Sequence, residues 1–171
     1  VTRKVSRVEE YAQSAAEVHR AVTTRQYWVD RVAELDGAGA ELVSFEVEGE
    51  NTRIVVSKPA PVGRMPAQVA KLIPDSVRLE VTESWGPLTD GIAHAQMVAD
   101  IAGMPITLAA KFVLRDAGPR STLDFDGTVD VRVPVLGKAI EGQIATDVGN
   151  EVTQIAEYTE TWLTRERQDR A

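Results

Sequence analysis

Apolar and polar residues alternate along most of this chain, and the alternation gives way to a helical period near each end. Val43, Phe45 and Val47 share one side of a strand. Ile54 and Val56 share one side of the next, across a turn at Gly49-Glu50-Asn51. Val77, Leu79, Val81 and Trp85 mark a further strand, and Ala93, Ala95, Met97, Ala99 and Ile101 another. Gly103-Met104-Pro105 turns the chain into Ile106, Leu108, Ala110, Phe112 and Leu114, and Ala117-Gly118-Pro119 turns it into Leu123, Phe125, Val129 and Val131. With an N-terminal strand over Lys4 to Tyr11, about seven strands are predicted, and the short turns between most of them make the sheet mainly antiparallel.

The helical stretches carry their own signals. Ser14-Ala15-Ala16-Glu17 is a capping box, in which serine and glutamate each satisfy a free amide at a helix start. Two short helices follow, Ala15 to Thr23 and Arg25 to Leu35, broken off by Asp36-Gly37-Ala38-Gly39. Pro66 to Ile73 reads as a short helix stopped by Pro74, with Val69, Leu72 and Ile73 as a small apolar patch. From Pro134 to about Glu166 one apolar stripe persists: Leu136, Ile140, Ile144, Val148, Val152, Ile155 and Trp162. Roughly 30 residues at 1.5 Å rise make a rod on the order of 45 Å, which needs a broad apolar partner. The expected order is strand, two short helices, six strands, long helix, in a single α+β domain over residues 1–171.

Composition narrows the function classes. A net charge of −7 without a basic cluster disfavours nucleic acid and standing attachment to an anionic membrane. No cysteine is present, so disulfides, thiol nucleophiles and thiolate metal sites are excluded together. No run approaches the ~18 consecutive apolar residues of a membrane-spanning helix. Val1-Thr2-Arg3-Lys4-Val5-Ser6-Arg7 lacks the apolar core of a signal peptide, so a cytoplasmic protein is the default expectation.

Few side chains look chemical. His19 flanks the apolar face of the first helix, and His94 is out of phase with Ala93 and Ala95, so both read as polar surface residues rather than bases. Asp124, Asp126 and Asp130 line one strand face without the turn that gathers ligands for calcium, and read as a solvated row. No metal site and no cofactor are expected. Gly37-Ala38-Gly39 precedes a strand where a dinucleotide fingerprint must follow one. Two glutamates stand out. Glu83 shares a strand face with Val81 and Trp85, and Glu151 lies near the centre of the long helix's stripe. A buried, unpaired carboxylate has a raised pKa suited to acid–base work; a partner or a strand bulge would remove that property.

The order of elements, the capped start Ser14-Ala15-Ala16-Glu17-Val18 and the junction Val133-Pro134-Val135-Leu136-Gly137-Lys138-Ala139-Ile140-Glu141 together resemble the START-like helix-grip superfamily. That superfamily includes birch-pollen-allergen-like proteins, polyketide cyclases and lipid-transfer domains. Within it, the proline-flanked short helix after the second hairpin is similar to an actinobacterial branch of unknown function. The resemblance spans essentially the whole chain and implies a curved antiparallel sheet around the C-terminal helix, with a cavity between them. Trp28 and the Pro66–Ile73 helix would then sit near its mouth, the helix as a lid or as a packed connector.

Three functional expectations follow. The first is binding of a hydrophobic small molecule, lipid or polyketide-like, by Phe45, Trp85, Met97, Leu108, Phe112 and Phe125 of the sheet and Ile144, Val148 and Ile155 of the helix. The second is a cyclase- or hydratase-type enzyme with Glu83 or Glu151 as acid or base. The third is an interaction module whose surface is anchored by Trp28, Trp85 and Trp162.

Overall fold

The computed structural model describes every residue except Val1, Leu72 and Asp75, and the side chain of Val62 also lies outside the description. Alternation produces strands where the sequence predicts them. They are β1 (Thr2–Tyr11), β2 (Glu41–Glu48), β3 (Asn51–Pro59), β4 (Arg78–Trp85), β5 (Ile92–Ile101), β6 (Ile106–Ala117) and β7 (Arg120–Val131). They form one antiparallel sheet in the order β1-β7-β6-β5-β4-β3-β2. From β2 to β7 each strand pairs with the next, through short turns except for the longer connector between β3 and β4. The excursion through α1 (Ala15–Val22) and α2 (Arg25–Arg31) carries the chain from one sheet edge to the other, so the two strands earliest in sequence are the two edges.

The capping box of α1 forms as read. The Glu17 amide donates to Ser14 Oγ at 3.3 Å, and the Ser14 amide donates to Glu17 Oε2 at 3.2 Å. After Arg31 the second helix widens into a π-helical turn over Val32–Asp36. The last helix, counted here as α4 (Gly137–Arg170), runs 34 residues, a turn further than the apolar stripe, and packs on β1, β7 and α1. The result is the expected α+β helix-grip architecture.

Three details depart from expectation. A β-bulge between Leu42 and Ser44 shifts the phase of β2 against β3. Val43 therefore stands exposed, while Phe45 stays partly buried opposite Ile54; Val47 keeps the face of Phe45, opposite Thr52, and is exposed near the strand's end. The helix expected over Pro66 to Ile73 shrinks to α3 (Ala67–Ala70), preceded by a 3₁₀ turn at Val62–Arg64. Val69 and Ile73 of its patch are buried, and Leu72 lies outside the described residues.

The tryptophans form no surface. Trp28, Trp85 and Trp162 are all buried, and each indole N–H has an acceptor: Val22 O, Glu83 Oε1 and Asp30 Oδ2. Tyr27 knits this region together. Its ring meets Trp28 and Trp162 edge-on at 5.5 and 5.4 Å, and its hydroxyl lies 2.8 Å from Thr159 Oγ1. An interaction surface anchored on the tryptophans is thereby removed.

Candidate ligand cavity

Several side chains facing α4 from the sheet, or the sheet from α4, remain only half-buried. Leu79, Val81 and Met97 on one side and Ile144, Val148 and Ile155 on the other all behave this way. The reason is space: they line a cavity of about 160 Å³. Alanines contribute to it, since Ala99 on β5 presents one side-chain carbon where its cross-strand partners Val81 and Leu108 present three and four. Trp85, Phe112 and Phe125 form a run of rings along the lining, Trp85 stacked on Phe112 at 6.0 Å and Phe112 tilted on Phe125 at 5.2 Å.

Of the residues singled out in the sequence, Trp85, Met97, Leu108, Phe112, Phe125, Ile144, Val148 and Ile155 line this cavity. Phe45 lies outside the lining, on the edge strand β2 one strand beyond Ile54, which does line it. Pro61 and Met65, from the connector before α3, are lining residues, as are Gln143 and Asp147 of α4. Arg64 of the same connector approaches Asp147 at 3.8 Å. These are among the more accessible lining positions, so the connector borders the opening.

The two glutamates part company. Glu83 points inward, is 7% exposed, and accepts a hydrogen bond from Trp85 Nε1 at 2.6 Å. Burial pushes its carboxyl above the usual range, while nearby Arg31 and the indole N–H pull the other way and are outweighed. No cation lies within ion-pairing distance of it among the described residues. Glu151, by contrast, is not an isolated inward carboxylate. Its side chain is 43% exposed and its Oε1 lies 2.5 Å from Lys58 Nζ, which also holds Asp36 Oδ1 at 3.2 Å. Burial alone would lower the lysine's pKa, but the Glu151 and Asp36 carboxylates outweigh it and hold the ammonium above its ordinary value.

Sequence reasoning missed the polar residues that meet beside Glu83. Arg31 from α2 is 7% exposed, lies over the Trp28 ring at 4.5 Å, and leaves its Nε–H without an acceptor among the described residues. Tyr11 at the end of β1 and Tyr27 on α2 complete the group, both buried and both lining the cavity. Burial drives the Tyr11 phenol well above its usual range, and the Tyr27 phenol is also raised. The signals were present. Arg31 falls four residues after Tyr27 and three after Trp28, hence on their helix face. Lys58 shares the strand face of Ile54 and Val56.

The remaining candidates stay outside. His19 is half-buried, its Nε2 2.8 Å from Gly86 O, and His94 is exposed on the outer face. Asp124, Asp126 and Asp130 face outward and meet Arg115, Ser6 and Arg132 respectively. No cluster of three or more metal-ligating side chains occurs among the described residues, and no helix there is long and apolar enough to cross a membrane.

An apolar cavity with an acid, a guanidinium and two phenols at one place can hold a small molecule and orient its polar group. Comparison with known proteins agrees with the architecture. Residues 7–163 match the family described as "Protein of unknown function (DUF2505)", and the chain belongs to that family. An uncharacterized protein of Mycobacterium tuberculosis is 31% identical over 164 residues, covering 91% of this chain and 93% of the relative. Among solved structures, a START superfamily protein from Mycobacterium smegmatis is similar at TM-score 0.56 and 14% identity, covering 95% of this chain and 97% of that one. The ZhuI aromatase/cyclase from Streptomyces sp. R1128 is similar at TM-score 0.57 and 10% identity, over 96% and 95%. Norcoclaurine synthase from Thalictrum flavum, in complex with dopamine and hydroxybenzaldehyde, is similar at TM-score 0.56 and 15% identity, over 96% and 88%. At these identities the likeness is one of fold alone.

Proposed function

We propose that this member of the DUF2505 family binds a hydrophobic small molecule between its sheet and α4. One observation carries the reading: inward-facing apolar side chains of both layers leave a cavity instead of closing on each other. Interiors are normally packed to crystal-like density, and an unfilled apolar space forfeits contacts that a guest restores. Trp85, Met97, Leu108, Phe112 and Phe125 contact the guest from the sheet, and Ile144, Val148 and Ile155 from the helix. The test is native mass spectrometry of protein purified from a lipid-rich host, followed by organic extraction. A stoichiometric co-purifying apolar molecule is the expected result. Failure to bind any apolar compound, co-purified or added, would sink the reading.

Glu83 supports a second reading, a cyclase- or hydratase-type enzyme. Glu83 lines the cavity, and its carboxyl lies outside ion-pairing distance of any cation among the described residues and has a raised pKa, which are the properties of a general acid or base. Glu151 remains the weaker candidate because Lys58 neutralises it. The enzyme reading predicts that Glu83→Gln retains ligand binding while losing turnover. Equal turnover in Glu83→Gln and the parent chain would leave binding alone.

A further inference from the structure

The cavity's polar residues say more about the guest than its apolar walls do. Arg31 is the lining cation left over once the ion pairs are assigned. Lys58, the other one, is held between Asp36 and Glu151. Arg31 lines the cavity, is more than nine-tenths buried, and carries an Nε–H with no acceptor among the described residues. A buried donor without an acceptor is costly, and native structures rarely leave one unless a ligand or a water completes it.

From this we infer that the guest carries an oxygen acceptor taken by the Arg31 guanidinium, and that it is a neutral, ring-sized carbonyl or phenol compound. The inference rests on the cavity reading above and narrows it in three respects. Charge argues for neutrality. The lining holds four carboxylates, Asp36, Glu83, Asp147 and Glu151, against the two cations Arg31 and Lys58. A carboxylate guest would add to that excess, whereas a carbonyl or phenol oxygen accepts a charge-assisted hydrogen bond and brings no net charge.

Size argues for a ring rather than an acyl chain pair. A cavity of about 160 Å³ is close to the roughly 150 Å³ apolar cavities that take benzene, and far below the volume of a diacyl lipid. The wall chemistry agrees, because Trp85, Phe112 and Phe125 present aromatic surface along it. Glu83 and Tyr11 line the same space, so a hydroxyl on the guest would find polar neighbours there too.

Three probes of one size separate these features. Acetophenone carries the carbonyl, α-methylstyrene replaces that oxygen with a methylene, and benzoate carries a charge. Binding is read by titration calorimetry and by the ¹⁵N-edited resonance of the Arg31 Nε–H. The expected result is a preference for acetophenone over α-methylstyrene of about tenfold. The Nε–H resonance should shift with the ketone and not with the alkene, and benzoate should bind more weakly than either. Arg31→Met should bind both neutral probes within about twofold of each other, since only the polar contact is gone.

Equal binding of ketone and alkene to the parent chain would overturn the oxygen-acceptor inference and leave the cavity reading intact. Benzoate binding tightest would overturn the neutral head group. No binding of any probe would overturn the ring-sized guest, and the cavity reading would then fall or stand on the mass-spectrometric result. If Arg31→Met does not fold, the three-probe comparison on the parent chain and the resonance shift decide alone.

Discussion

Trp85 donates its indole N–H to the carboxylate two residues before it on the same strand face, Nε1 to Glu83 Oε1 at 2.6 Å. The pair is a product of strand period: residues i and i+2 point the same way, so an acid on an apolar strand face is delivered into the core beside its own donor. Both residues line the cavity. Replacing the indole by Phe keeps a ring and deletes the donor. Where the Glu83 carboxyl is ionised, above its raised pKa, Trp85→Phe is expected to destabilise the protein by about 1.5–3 kcal/mol, the range for hydrogen bonds to charged groups. Most of that loss should vanish at pH values where Glu83 is protonated. Urea denaturation of both proteins across pH checks it, and a pH-independent difference would show that the indole acts by packing alone.

Stability should depend on pH in opposite senses through two glutamates. Burial raises the Glu83 carboxyl above its unfolded value, so the folded chain binds the proton more tightly there. Stability through Glu83 therefore falls as pH rises from the ordinary glutamate range, near 4.3, toward the raised value, and is flat above it. Glu17 behaves inversely. Burial opposes ionisation, but the Ser14 amide and Arg167 outweigh it and hold the carboxyl below its usual value. Its contribution is present above the ordinary range and is lost as pH falls through the folded value. Glu83→Gln should flatten the upper limb of a stability–pH curve, and Glu17→Gln should flatten the acid limb. Unchanged limbs in these variants would contradict the assignment.

Most of the architecture was legible because period and turn chemistry report local structure. Leu123, Phe125, Val129 and Val131 keep the phase that their alternation announces, and Ser14 and Glu17 cap the helix they were expected to cap. Local signals fail where a neighbour decides. The bulge at Leu42–Ser44 is a property of the β2–β3 pairing, and no residue in β2 announces it, so Val43 leaves the face that Phe45 and Val47 still share. Glu151 was read from the helix stripe alone, whereas its surroundings are set by Lys58, distant in sequence on β3. Arg31 is hidden for a different reason: charged residues at helix ends are usually solvated, and tertiary packing leaves this one 7% exposed.

The Lys58 group should respond asymmetrically to mutation. Asp36's side chain is 4% exposed and Glu151's is 43% exposed, although both contact the same ammonium. Glu151→Gln removes a screened partner and is expected to cost less than about 1 kcal/mol. Lys58→Met strands Asp36 in a buried position and is expected to cost about 3 kcal/mol or more. Thermal or chemical denaturation of the two variants measures the difference. Equal costs would mean that Asp36 finds solvent when the lysine is lost.

Ala99 offers a direct test of whether the space is used. It pairs with Val81 and Leu108 on adjacent strands and lines the cavity. Ala99→Leu adds three carbons into that space, where overpacking strain of about 1–3 kcal/mol is offset by the void it fills. The variant should melt near the parent temperature and lose any co-purifying guest in native mass spectrometry. A variant that folds well and still carries the guest would place the guest elsewhere.

Gly127 has a role that the alternation of β7 hides. The pattern Leu123, Phe125, Val129, Val131 skips one inward position, and Gly127 occupies it, opposite Val5 of β1 and Ala110 of β6. A Cβ there would sit 3.0 Å from Cε1 and Cζ of Phe125 and 3.4 Å from Leu108 Cδ1. The glycine thus makes room for the Phe125 ring to lie flat along its own strand, 1% exposed, and to tilt onto Phe112. A glycine inside a strand usually weakens it, so its presence here is accounted for by that ring. Gly127→Ala needs a shift of a few tenths of an ångström and should be nearly neutral. Gly127→Val must displace the ring, at a cost of about 1–3 kcal/mol, and the direction open to the ring is the cavity it already lines. Ring-proton shifts of Phe125 and Phe112 should therefore move together in Gly127→Val, with weaker binding of apolar probes. A valine variant with parental ring shifts and parental stability would show that Phe125 does not depend on the glycine.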